Sequence, residues 1–461
     1  MTSSDGPDGP DGPDGSSDTI AAVATGAGRA GVGIVRVSGP RVLHIADAVL
    51  GRTLSPRTAT YAPFLDGDGL SLDVGIALRF VAPDSFTGEH VLELQGHGGP
   101  VVLDRVLARV LSLGARAARP GEFSERAFLN DKLDLTQAEA IADLIDSASE
   151  SAARAAVRSL SGEFSADVQA LVDDLVGLRV WLEAALDFSE EEIDFLADPA
   201  LDARAVALLT GFDRVLARAG QGQRLRDGLT VAIAGRPNVG KSSLMNRLAG
   251  VEAAIVTDVP GTTRDVLRED IVLDGVPLRI IDTAGLRDTH DPVERIGIER
   301  ARAALASADR VLLVIAADDP APPDENWPAG LAVTRVINKR DAVGDAALQR
   351  LLDEGSPDGA DLAVSAVTGQ GLDALRAHLL SLAGHDAAVE GVYLARRRHL
   401  DALGEARSFT EAGLERLRSA VMPELAAEEL RRAQEALNRI TGRFDADDLL
   451  GAIFGSFCVG K

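Results

Sequence analysis

Two stretches of the chain carry apolar residues at the helical period. Leu171, Leu175, Leu178, Leu182 and Leu186 fall on one stripe while charged residues lie mostly elsewhere, so Leu133–Asp227 is predicted helical. After Gly391 the period returns, with Leu430, Ala433, Leu437 and Ile440 in register. Between these stretches, short apolar runs alternate with helical ones. The runs predict strands at Leu229–Ala234, Leu278–Ile281, Val311–Ala316 and Val333–Ile337, and helices at Lys241–Leu248 and Val293–Ala306. Such alternation builds a sheet covered by helices, so the expected architecture is a helical domain interrupted by a doubly wound insert. Ahead of it, Thr19–Ala24, Gly33–Val37 and Val91–Leu94 read as strands. Pro100–Leu113 reads as a helix, with Pro100 in its first turn and Val101, Leu103, Val106, Leu107 and Val110 on its apolar face. Together these predict an α/β or α+β domain.

Residues 4–17 repeat Asp-Gly-Pro three times and cannot bury apolar surface, which predicts a disordered acidic tail over 1–17. The expected boundaries are then 18–131 for the N-terminal domain, 132–227 and 387–461 for the two parts of the helical domain, and 228–386 for the insert.

Composition narrows the class. At 461 residues the chain is too long for one core, and 46% hydrophobic with 26% charged residues is the balance of a globular protein. No apolar run approaches the roughly 18 residues of a membrane span, and the N-terminus has no basic, apolar-cored signal peptide. Cys458 is the only cysteine, so no intramolecular disulfide forms and a cytoplasmic location is expected. The net charge of −24 excludes nucleic-acid binding through the whole surface. Any such role needs a confined patch or a second protein. The longest basic run, Arg396–Arg398, reads either as an RNA or partner contact or as a solvated helix face.

The chemistry is concentrated between Gly235 and Gly371. There the chain reads Gly235-Arg-Pro-Asn-Val-Gly-Lys-Ser242, Thr262-Thr263, Asp282-Thr-Ala-Gly285, Asn338-Lys-Arg-Asp341 and Ser365-Ala366, in the order of a guanine-nucleotide switch. A strand runs into the glycine-rich turn and a helix follows, the context a phosphate loop requires. Backbone N–H groups of Asn238, Val239, Gly240, Lys241, Ser242 and Ser243 would cradle phosphates. Lys241 would reach the β and γ phosphates, Ser242 and Thr263 would ligate Mg²⁺, and Asp282 would hold a metal-bound water, with Thr283, Ala284 and Gly285 beside the γ-phosphate. Asp341 can accept two hydrogen bonds from the guanine edge, Asn338 can read its far side, and Lys339 can lie along the ring, with Ser365 and Ala366 completing the base pocket.

Two positions depart from the Ras pattern. Leu286 stands where a water-orienting Gln is usual, so another residue must act. The candidates are Arg287, Asp288, Glu294 and Arg295. Asn238 reads either as a ligand for a monovalent cation, K⁺, that would stabilise transition-state charge, or as a plain turn residue.

The flanks carry further motifs: Gly31-Val-Gly-Ile-Val-Arg-Val-Ser-Gly39, Ser85-Phe-Thr-Gly-Glu-His-Val-Leu-Glu-Leu-Gln-Gly-His-Gly-Gly99, Arg119-Pro-Gly-Glu-Phe-Ser-Glu-Arg-Ala-Phe-Leu-Asn-Asp-Lys-Leu-Asp134, Leu394-Ala-Arg-Arg-Arg-His399 and Phe457-Cys-Val-Gly-Lys461. With these, the chain resembles the MnmE (TrmE) family of tRNA-modification GTPases from Asp18 to Lys461, apart from the segment around Asp318–Leu331. The resemblance implies a multidomain α/β chain: an N-terminal α+β folate-binding and dimerisation domain, a central helical domain and an inserted Ras-like doubly wound P-loop GTPase domain. It implies that Arg36, Glu93, Lys132 and Lys461 contact a tetrahydrofolate one-carbon derivative, in the 5-formyl or 5,10-methylene form. It adds Thr257, Asp258, Val259, Pro260, Gly261 and Thr262 to the GTP-contacting set, with Asn238, Thr257, Val259 and Thr262 holding K⁺ and Glu294 orienting the attacking water. The partners it implies are a second copy of the chain, the FAD-containing MnmG (GidA) and tRNA. With them, an aminomethyl or carboxymethylaminomethyl group would be added to C5 of the wobble uridine.

The residues themselves leave alternatives open. Glu93 suits a donor-rich pterin edge, and Arg36 and Lys132 suit a glutamate tail, yet each also reads as an ordinary surface charge. Cys458 reads as a nucleophile for the carbon transfer or as a buried small hydrophobe, and His97 as a structural histidine. Gly26-x-Gly28-x-x-Gly31 imitates a dinucleotide fingerprint, but a strand is expected after it. Two other functions share these motifs. A ribosome-assembly GTPase switch usually carries a basic RNA-binding domain, unlike these acidic flanks. A stand-alone folate enzyme would transfer carbon without a flavoprotein.

Overall fold

The computed structural model describes residues 18–147, 149–187, 199–249, 268–274, 276–282, 308–320, 331–353, 361–383, 391–418, 423–442, 447–455 and 457–460. The chain divides into two compact units, residues 1–142 with 438–461, and residues 143–437.

In the first unit β1 (Ile20–Val23), β2 (Ala30–Ser38), β3 (Thr60–Leu65), β4 (Ser71–Phe80), β5 (Val91–Gly98) and β6 (Arg116–Ala117) form one sheet in the order β3-β4-β5-β2-β1-β6. Every pair is antiparallel except β1 with β6. Helices Val42–Leu50 and Pro100–Ser112 cover one face, where Val35, Val37, Leu92 and Leu94 pack with Ile45, Val49, Leu103 and Val106. The expected strands and the Pro100 helix are all present, and β2 does follow the imitation fingerprint. The helix Val42–Leu50 and the hairpin β3–β4 escaped the apolar pattern. Pro63 interrupts β3, which tolerates it as an edge strand, and Gly75 replaces an apolar residue in β4 because a Cβ there would strike the Gln95 carbonyl.

An ionic network centred on buried Glu122 and Arg126 binds this unit together. Arg116 and the Arg119 N–H donate to the Glu122 carboxylate at 2.9 and 2.7 Å. Arg126 reaches Asp18 at 2.6 Å and Glu89 at 3.0 Å, and Ser38 donates to Glu89 at 2.6 Å. Burial opposes ionisation of Glu122, but the hydrogen bonds from Arg116 and Arg119 and the charges of Arg116 and Arg126 outweigh it and hold the carboxyl below its ordinary value. A carboxyl lowered in the folded state stabilises the fold above its unfolded pKa and loses that contribution as pH falls through the folded value. Thermal melts should therefore show this unit weakening below the ordinary carboxylate range. Glu122→Ala should cost about 3 kcal/mol at neutral pH, since Arg126 keeps two other acids, and should flatten the acid limb.

In the second unit the leucine stripe lies on helix Glu163–Asp187, with Leu171, Leu175, Leu178 and Leu182 buried; the Leu186 side chain lies outside the described residues. Leu430, Ala433 and Leu437 are likewise buried on helix Pro423–Thr441, whose Ile440, also buried, falls in the first unit. The insert is a sheet of β7 (Leu229–Ala234), β8 (Arg268–Leu273), β9 (Val276–Asp282), β10 (Arg310–Ala316), β11 (Val333–Asn338) and β12 (Asp361–Ala363), ordered β12-β11-β10-β7-β9-β8. All neighbours are parallel except β8 with β9. The predicted helix Val293–Ala306 lies outside the described residues. Both connections to the insert are tied down. Arg226, before β7, and Arg396, after the return, donate to the same Asp143 oxygen at 2.9 and 2.8 Å. Ser159 donates to the Leu394 carbonyl at 3.0 Å.

Candidate functional site

The strand order reverses around β7, since the chain first adds β9 on one side and then β10 on the other. Ligands of open α/β sheets bind beyond the carboxyl ends of strands at such a reversal. Here that edge gathers the phosphate loop after β7, Asp282 at the end of β9, Asn338 at the end of β11 and Ser365 after β12.

The loop's sequence follows from its contacts. Gly235 sits at φ +145°, where a Cβ would strike the Val314 carbonyl, and Gly240 at φ +93° faces the Asn338 amide. Asn238 adopts φ 66°, a left-handed conformation that asparagine tolerates, and its side chain is exposed. Val239 is buried, and helix Lys241–Ala249 begins as Leu244 N–H donates to the Gly240 carbonyl at 2.9 Å. The first N–H groups of that helix, with the exposed Ser242 and Ser243 hydroxyls, are free of intrahelical duty and suit an anion. The Lys241 ammonium donates to the Gly235 and Arg236 carbonyls at 2.6 and 3.1 Å, at the mouth of the loop.

Asn338 has a task that spacing alone did not reveal. Its side chain is 2% exposed; Nδ2 donates to the Val239 carbonyl at 2.9 Å and Oδ1 accepts from Ala366 N–H at 3.0 Å. It staples the phosphate loop to the Ser365-Ala366 turn, where buried Ser365 accepts from Thr368 N–H at 3.0 Å. Asn338→Ala would orphan the buried Val239 carbonyl and the half-buried Ala366 N–H, at about 1–3 kcal/mol each. A titration with fluorescent GDP should show roughly 30-fold or greater loss of affinity, with far-UV circular dichroism unchanged. Lys339 follows at φ 60° and pairs with Asp318 at 3.3 Å, while Asp341 projects, exposed, from the turn Arg340–Ala342. The roles of Asp318 and of Asp319 beside it had no signal in the sequence, since their segment matches no motif.

Asp282 ends β9 level with Ile233, and its side chain lies outside the described residues. So do Thr257, Asp258, Val259, Pro260, Gly261, Thr262, Thr263, Thr283, Ala284, Gly285, Arg287, Asp288, Glu294 and Arg295.

A second cluster lies in the N-terminal unit. Arg36 and Glu93 are cross-strand neighbours on β2 and β5, and Arg36 donates to Glu93 at 3.0–3.1 Å. The guanidinium lies 5.5 Å from the Phe86 ring and 5.7 Å from that of Phe123, and Gln95 donates to the second Glu93 oxygen at 3.3 Å. Glu93 is thus already paired, a partnership the sequence reading did not foresee. Lys132 is exposed beside the Ser85–Glu89 loop, where Asn130 donates to the Thr87 carbonyl at 2.7 Å. Lys461 lies outside the described residues. Cys458 is exposed, which removes its reading as a buried small hydrophobe. Its carbonyl accepts from Gly121 N–H at 3.3 Å. His97 pairs with Asp73 at 2.7 Å while its ring stays exposed.

Comparison with known proteins extends across both regions. Residues 19–132 match the family described as the GTP-binding protein TrmE N-terminus, and residues 135–458 match the MnmE helical domain. The chain is 57% identical over 451 residues to the tRNA modification GTPase MnmE of Stutzerimonas stutzeri, covering 96% of this chain and 98% of that one. It is 55% identical over 453 residues to the protein of the same name from Vibrio parahaemolyticus, covering 96% and 99%. Among solved structures, Era of Aquifex aeolicus bound to GDP·AlF4⁻ is 28% identical, over 39% of this chain and 66% of that one, with a TM-score of 0.29 too low to bear on function.

Proposed function

The chain belongs to the MnmE family of tRNA modification GTPases, and from this premise we propose that it hydrolyses GTP to drive modification of C5 of the wobble uridine in certain tRNAs. The observation that carries the reading is the phosphate loop joined through Asn338 to the base-reading turn at one sheet edge. Lys241 meets the β and γ phosphates, Ser242 and Thr263 hold Mg²⁺, and Asp341 selects guanine. The exposed Asn238, with Thr257, Val259 and Thr262, holds K⁺ where its charge offsets that developing on the phosphates. GTP turnover is therefore expected to be fast in K⁺ and slow in Na⁺ at equal ionic strength, and equal rates would remove K⁺ from the site.

The second cluster receives the tetrahydrofolate one-carbon derivative. Arg36, Glu93 and Gln95 form a polar row beside the Phe86 ring, and such a row suits a pterin, which is flat, aromatic and rich in donors and acceptors. Lys132 and Lys461 serve the anionic tail. The one-carbon unit and the FAD of the MnmG partner supply the carbon and redox chemistry; this chain binds, positions and times. Two copies pair through their N-terminal domains. Among the described residues no helix is long and apolar enough to cross a membrane.

The test is mass spectrometry of tRNA nucleosides from cells lacking the chain and from cells complemented with it. Loss of C5-substituted wobble uridines, restored on complementation, is the expected result. Unchanged uridines would redirect the GTPase toward ribosome assembly.

A further inference from the structure

The turn that leaves β10 carries two adjacent acids, and each engages a different nucleotide motif. Ala317 N–H donates to the Asn338 carbonyl at 2.8 Å and Asp319 N–H to the Ala316 carbonyl at 3.1 Å, which fixes the turn. Because β10 lies between β7 and β11, the turn emerges between the phosphate loop and the Asn338–Asp341 motif. Asp319 takes the Arg236 guanidinium at 3.0 Å, and Asp318 takes the Lys339 ammonium at 3.3 Å. The Arg236 carbonyl is in turn one of the two acceptors for Lys241.

We propose that Asp318 and Asp319 are positioning residues for guanine-nucleotide binding, a two-pronged ionic latch that sets how fast nucleotide leaves. A free lysine loses rotamer freedom when it lies down along a base, whereas Lys339 held by Asp318 has lost it beforehand, so less is spent on binding. Asp319 does the same for the Arg236 end of the phosphate loop. The proposal rests on the nucleotide reading above and adds to it the residues that tune release. Side-chain exposures of 36–67% at the four partners mean that water and salt screen both pairs, so the effect is a few-fold one and is sensitive to salt.

The experiment displaces fluorescent GDP from the full chain by stopped flow, varying choline chloride at constant K⁺. Asp318→Asn and Asp319→Asn should each speed release about two- to five-fold at low salt and hardly at all at high salt. Asp318→Glu should restore the slow rate, and Asp318→Asn should add nothing in a Lys339→Ala background. Unchanged release in both variants, acceleration that persists at high salt, or additivity with Lys339→Ala would overturn the latch while leaving guanine binding intact. A wild-type chain that holds fluorescent ADP as tightly as GDP would overturn the nucleotide reading and the latch with it.

Discussion

Glu294→Ala in the full chain is expected to leave GTP affinity nearly unchanged and to slow hydrolysis about 10²–10⁴-fold, the usual contribution of a positioned acid–base group. Leu286 cannot orient water where a glutamine commonly does. Arg287, Asp288, Glu294 and Arg295 all follow it, and the resemblance assigns the task to Glu294, whose carboxylate could accept a proton from water. Such a loss corresponds to about 3–5 kcal/mol of transition-state stabilisation, none of it drawn on when GTP merely binds. The same assay should show wild-type turnover rising with protein concentration, because the resemblance implies that nucleotide domains of two copies meet to hydrolyse. Arg287→Ala is the control; it should cost less than Glu294→Ala. A Glu294→Ala protein with wild-type turnover would refute the assignment.

Asp341→Asn should lower GTP affinity about 10²–10⁴-fold and raise affinity for the xanthosine nucleotide. A carboxylate accepts from both N1–H and the exocyclic amine of guanine, and hydrogen bonds to a charged group contribute about 1.5–3 kcal/mol each. Asparagine keeps one acceptor but turns an amide N–H toward the guanine amine, donor against donor. Xanthine carries a carbonyl there and meets the amide as its complement. The exposed turn Arg340–Ala342 presents residue 341 with its backbone already shaped, so the exchange need not disturb the fold. Isothermal titration with the two nucleotides reads the swing directly, and parallel losses for both would mean that Asp341 supports the turn and does not read the base.

Much of the nucleotide edge was legible in the sequence, and the reason is geometric. Gly235 and Gly240 stand where a Cβ would collide, and Val231, Ala232 and Ile233 are fully buried, so residue types there had little freedom. The leucine stripe of helix Glu163–Asp187 was plain for a similar reason, since one face must be apolar to be buried. What stayed hidden depends on distant partners. The pairing of Arg36 with Glu93 needs the register of β2 on β5, and residues 57 apart in sequence give no hint of it. The stapling by Asn338 was masked by a motif that already explained the residue. Asp318 and Asp319 looked like surface acids in an unmatched segment, and only the position of β10 between β7 and β11 gives them partners.

The shared grip of Arg226 and Arg396 on one oxygen of Asp143 bears on how this chain came to be assembled. Two backbones held by one carboxylate run close together, so a host lacking everything between them would need only a short turn to close the gap. Insertion at such a place lengthens a loop, and loop closure grows costlier only slowly with length. The nucleotide domain therefore extends one loop of its host, although the two share apolar contacts. Ala155, Ala156, Val392 and Leu394 of the host share one apolar core with Leu229, Val231 and Leu278 of the insert, so joining the chain across it with a few glycines should yield a folded helical protein only if polar residues replace that face.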